Sequence, residues 1–140
     1  MLLAGTVIYV AATYLLMIFA FKMAKHRKIH VPIMATIIVG DLLMPFYLFF
    51  SGDWYQRLIV NEDILTFGIW MHFFVVVTLY VLYVVQIQCA MKLLKNTPEP
   101  RIRAEHRAQG LGILLTRFFV LITGALLVPD TAVEAVDLVE

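Results

Sequence analysis

The sequence predicts an all-α integral membrane protein, a four-helix bundle with both termini on the outer side. Three observations lead there. Hydrophobic residues make up 62% of the 140 and charged residues 15%, and the mean hydropathy is +0.89, far above soluble chains at roughly 45–50% apolar. Four apolar runs reach the roughly 20 residues that a helix needs to cross a bilayer, and none alternates as the strands of a membrane barrel do. The connections between them are too short for a separate soluble domain, so residues 1–140 read as one transmembrane domain.

The first helix is predicted over about residues 2–21. No basic residue precedes it, and the positive charge follows in KMAKHRKIH, so it reads as a retained span and not as a secretory leader. Thr6, Tyr9 and Thr13 form a weakly polar stripe facing neighbouring helices. The second helix is predicted over 31–50, with Pro32 in its first turn, where the missing N–H would be unpaired anyway. The segment SGDWYQRLIVNED then places Trp54 and Tyr55 at an interface. The third helix, 64–91, is long enough to tilt or to project from the bilayer. Two prolines break the following loop, NTPEPRIRAEHRA, which turns helical again before the fourth helix at 108–128. In the outer tail, 129–140, Thr131 and Glu134 form a capping box ahead of Val133, Val136 and Val139. That pattern predicts a short amphipathic helix, with a disordered tail as the alternative.

Charge sets the orientation. Lys22, Lys25, Arg27, Lys28, Lys92, Lys95, Arg101, Arg103 and Arg107 all fall in the two loops of one side, whereas the other side holds Arg57 and seven carboxylates. The positive-inside rule puts the basic loops in the cytoplasm, in a bacterial inner membrane. Topology alone explains these basic clusters, so nucleic acid is not implied. Walker-type loops, dinucleotide fingerprints, CxxC, CxxCH and HExxH motifs are all missing, and the single cysteine, Cys89, has no partner for a disulfide. No enzymatic activity of its own is expected.

Two charges lie inside the apolar runs. Asp41 is about ten residues into the second helix and Arg117 about ten into the fourth, each roughly 15 Å deep from the basic end. His72, counted from the other end, is predicted within one turn of them, giving a central cluster of Asp41, His72 and Arg117. Gly110, Arg117 and Gly124 recur every seven residues, which turns Arg117 toward protein. Pro45 removes the N–H that would bond the carbonyl of Asp41, predicting a kink and a free acceptor for Arg117, His72 or water. The cluster reads as a structural ion pair, with an ion pathway or a cofactor contact as alternatives.

A second polar layer lies at the basic end. His30 is eleven residues before Asp41 and His106 eleven before Arg117, so each shares a helix face with its charge. Two imidazoles at matched depth suit the axial ligands of haem b or part of a copper site, with Arg27, Lys28, Arg103 and Arg107 near haem propionates; solvated loop histidines are the plainer reading. Met34, Met44, Met71 and Met91 read as packing residues.

KHRKIH before one helix, WMH inside the next, and AEHR before a helix carrying Thr123 and Gly124 resemble the small histidine-containing membrane proteins of the CtaM-like group, linked to haem-copper oxidase maturation. The resemblance covers about residues 20–128. It implies His30, His72 and His106 as haem- or copper-related positions, and a role beside a redox complex. The expected function is thus an accessory or assembly subunit of a membrane redox complex, with other membrane subunits and the lipid bilayer as partners. The alternatives are a small b-type cytochrome and a proton or ion relay.

Overall fold

The computed structural model describes residues 2–50, 64–95 and 99–127, and these are all helical apart from short connections. Helix α1 spans Leu2–Lys22, α2 Arg27–Phe50, α3 Ile64–Lys95 and α4 Pro100–Leu126. Each is long and apolar enough to cross a membrane. The interfacial segment with Trp54 and Tyr55 and the capping box at Thr131 lie outside the described residues.

Two helix starts differ from expectation, and each has a local cause. Helix α2 begins at Arg27 instead of 31, because the His26 carbonyl accepts the N–H groups of both Ile29 and His30 at 3.0 Å and so opens the helix early. Pro32 therefore lies beyond the first turn. The carbonyl it leaves unbonded belongs to Lys28, which is exposed and can meet water. Helix α4 begins at Pro100 instead of 108. Proline suits the first helical position, and the residue before it is driven to extended backbone. Glu99 has φ −62° and ψ 140° accordingly. The first two turns of α4 are thus charged and exposed, with an Arg101–Glu105 pair at 3.0 Å that contributes little to stability. Helix α3 runs four residues past the predicted 91, and at 1.5 Å per residue its 32 residues extend about 48 Å.

The packing order is α3 on α4, α4 on α1, and α1 on α2. The core is small: Met17, Ile37, Ile38, Leu79, Tyr83 and Ile113 are buried, with Ile33, Met34 and Val120 against them. Large apolar side chains also point outward, Phe46, Phe50, Phe67, Phe74 and Leu111 among them. Helices apolar on every side are those of a membrane span or of the core of a larger protein.

Small residues allow the close crossings. A Cβ on Gly110 would meet the Phe21 ring at 3.2 Å, and one on Gly124 the His72 ring at 3.3 Å. Between α1 and α2, a Cβ on Gly40 would collide with the Tyr9 hydroxyl, while the ring carbon bearing that hydroxyl would stand at 3.4 Å, an ordinary contact. Gly40→Ala is therefore expected to lower the midpoint of thermal unfolding in detergent, at a cost of about 1 kcal/mol. In a Tyr9→Phe background the same change is expected to cost almost nothing. An equal loss in both backgrounds would show that the hydroxyl is not the obstacle.

Candidate functional site: a buried ion pair and two histidine positions

Asp41 and Arg117 meet. Arg117 Nη2 donates to Asp41 Oδ1 at 2.9 Å, with the arginine 1% and the aspartate 8% exposed. Burial on this scale is tolerable only if the remaining donors and acceptors are also satisfied. Groups from the other helices supply such partners: Tyr83 of α3 donates to Asp41 Oδ2 at 2.5 Å, and Arg117 Nη2 donates to Thr13 Oγ1 of α1 at 2.9 Å. Thr13 can accept because its own proton goes to the Tyr9 carbonyl at 2.8 Å. Arg117 Nη1 lies 4.0 Å from the sulfur of Met17. One ion pair thus joins all four helices.

Pro45 leaves the Asp41 carbonyl free for a partner outside its own helix, as expected. It sits inside α2, and the Asp41 carbonyl that it leaves without an intrahelical donor receives the Tyr80 hydroxyl at 2.9 Å. The donor is neither Arg117 nor His72. Asp41 is therefore held through its carboxylate and its carbonyl by two tyrosines three residues apart on α3. Nothing in the sequence distinguishes Tyr80 and Tyr83 from packing aromatics except that spacing, which puts them on one face.

His72 is not bonded to the charged pair. Its Nδ1 lies 2.8 Å from Thr123 Oγ1, and Thr123 is six residues beyond Arg117, about 9 Å along α4. Depth counted from the far boundary brought His72 too close to Asp41. The two sites are still connected, because His72, Asp41, Tyr80 and Arg117 all line one cavity of about 530 Å³.

At the basic end His30 and His106 come together. Their ring centroids are 6.4 Å apart at an interplanar angle of 77°. His30 Nδ1 lies 2.8 Å from the Ala20 carbonyl, so Nδ1 carries the proton and Nε2 is left as an acceptor, the arrangement also found behind metal-ligating histidines. His106 differs: Gln86 Nε2 lies 3.4 Å from its Nε2 and also donates to the His106 carbonyl at 3.2 Å. Gln86 is 7% exposed, an interior polar group that the sequence did not single out. His106 Nδ1, Gln86 Oε1 and Gln109 Oε1 are buried without partners. Arg27, Lys28, Arg103 and Arg107 are exposed around this layer.

No protein family, curated protein or solved structure matches the chain. The functional reading therefore rests on the chemistry of these sites. Among the described residues, no three His, Cys, Asp or Glu side chains gather in a way that would hold a metal ion. Cys89 is buried, with Sγ 3.7 Å from the Ile102 carbonyl, and helps to seat the start of α4 on α3.

Proposed function

We propose that the chain is an integral membrane accessory or assembly subunit of a respiratory-type redox complex, inserted with its basic loops in the cytoplasm of a bacterial inner membrane. Four apolar helices with outward-facing phenylalanines and leucines support the insertion. The loop lysines and arginines support the orientation. The central ion pair supports a structural role for the charged layer, since both carboxylate oxygens are occupied by donors from other helices. The observation that carries the redox assignment is the facing pair of His30 and His106, with His30 already oriented by a backbone carbonyl.

The test is gentle solubilisation of the tagged full chain, followed by an absorption spectrum, metal analysis and identification of what copurifies. Haem- or copper-containing membrane subunits are expected in the same fraction, and a His30→Ala, His106→Ala variant is expected to lower the amount of assembled complex. Wild-type and variant cells with equal amounts of assembled complex would count against the assignment.

The same pair favours a second reading, a small b-type cytochrome. His30, with its Nδ1 already engaged, would offer Nε2 to hold the haem. His106 fits only with the Gln86 amide turned away from its Nε2. Haem would supply one-electron transfer, and the residues of this chain would hold and orient it. A Soret band in the isolated chain that disappears in His106→Ala would favour this second reading.

A further inference from the structure

The hydrogen bonds around His72 settle which of its ring nitrogens carries the proton. Thr123 Oγ1 lies 2.7 Å from the Phe119 carbonyl of its own helix. Two oxygens that close without a proton between them would repel, so the hydroxyl proton is spent there, as threonine commonly does inside helices. Oγ1 must then accept at its other contact, and His72 Nδ1 is the donor at 2.8 Å. In apolar surroundings an unbalanced charge is costly, which makes the ring neutral and Nε2 a bare acceptor. The Nδ1 and Cε1 edge of the ring is the one that faces Gly124, with Cε1 3.3 Å from where a Cβ would stand. Among the described residues His72 Nε2 has no hydrogen-bond partner.

His72 belongs to the wall of the 530 Å³ cavity, to which all four helices contribute, Val10, Pro45, Val76 and Leu121 among them. A cavity of this size holds a ring system with a few isoprenoid carbons. Of its other polar members, Asp41 and Arg117 are committed to each other and to Tyr83 and Thr13, Tyr80 donates to the Asp41 carbonyl, and Thr6 is bonded as well. The walls thus call for an apolar body, and Nε2 calls for one O–H donor. Phe73 and Tyr80 in the same wall favour a flat aromatic ring over a flexible chain.

We propose that this cavity binds a lipid-soluble hydroquinone, one of whose phenolic O–H groups donates to His72 Nε2. The inference rests on the membrane insertion proposed above but not on the accessory role.

The experiment uses the full chain in lipid nanodiscs and isothermal titration with three probes: a naphthohydroquinone bearing a short isoprenoid tail, its dimethyl ether, and farnesol. The hydroquinone is expected to bind roughly fivefold more tightly than its ether, the effect of one net hydrogen bond. His72→Phe is expected to abolish that preference while leaving ether binding in place. Equal binding of hydroquinone and ether to the wild type would overturn the proposal, as would a preference that survives in His72→Phe. Farnesol binding as tightly as the hydroquinone would also overturn it, and would assign the cavity to a prenyl alcohol. Gly124→Ala, which presses on Cε1 of His72, serves as the second variant if His72→Phe does not fold, and is expected to weaken hydroquinone binding more than ether binding. Extraction of the chain from membranes by alkaline carbonate would count against insertion itself, a failure distinct from loss of the hydroquinone preference.

Discussion

Replacing Arg117 by methionine is expected to destabilise the bundle by about 3–5 kcal/mol. Methionine roughly preserves the length of the side chain, so the loss reports charge and hydrogen bonding more than volume. What remains is a carboxylate at Asp41 that is 8% exposed and has lost the cation at 2.9 Å, with only the Tyr83 hydroxyl bonded to it. Asp41→Leu is expected to cost a similar amount, because it leaves the guanidinium of Arg117 buried against Thr13 and Met17. The double replacement is expected to be no less stable than either single one, since it removes both uncompensated charges and leaves mainly the Tyr83 hydroxyl without its acceptor. SDS-titrated loss of helicity in mixed micelles measures all three, and the coupling energy follows from the cycle. A double variant whose loss equals the sum of the single losses would show that the two charges do not act as a pair.

Tyr83→Phe is expected to cost about 1.5–3 kcal/mol, the range for hydrogen bonds to charged groups. The ring and its packing stay; only the donor to Asp41 Oδ2 is lost. Tyr80→Phe is expected to cost less, because the acceptor there is the neutral Asp41 carbonyl. The two effects are separable through Pro45. Restoring an N–H at that position with Pro45→Ala gives the Asp41 carbonyl an intrahelical donor, and so is expected to recover most of the Tyr80→Phe loss and none of the Tyr83→Phe loss. The same unfolding measurement decides this, and equal recovery of both variants would contradict the assigned partners.

The layout of the fold is legible in the chain because span length and apolarity are local properties. Four runs give four helices, and the departures at Arg27 and Pro100 come from charged residues that join a helix without being apolar. The pairing of Asp41 with Arg117 is legible too, since each lies a similar distance from the same basic end and each carries a charge that burial makes costly. The meeting of His30 and His106 follows the same eleven-residue step. His72 is different. Its depth is counted from the opposite boundary, and a shift of six residues along α4 separates an Arg117 neighbour from a Thr123 neighbour.

Tyr80, Tyr83 and Gln86 are ordinary residues in the sequence, and Thr13 stands out there only as part of a weakly polar stripe. Their roles depend on how far each helix is rotated and slid against the next, because a hydrogen bond forms or fails over a few tenths of an ångström. The sequence by itself determined four apolar helices, the gathering of positive charge in two loops, a charged residue in each of two spans, and a proline that leaves one carbonyl free. The tertiary structure alone decided that Tyr80 takes that carbonyl, that Tyr83 and Thr13 join the ion pair, and that His72, in the wall of the cavity, bonds Thr123. Apolar length and charge belong to each segment separately, whereas these contacts exist only between helices once they are packed.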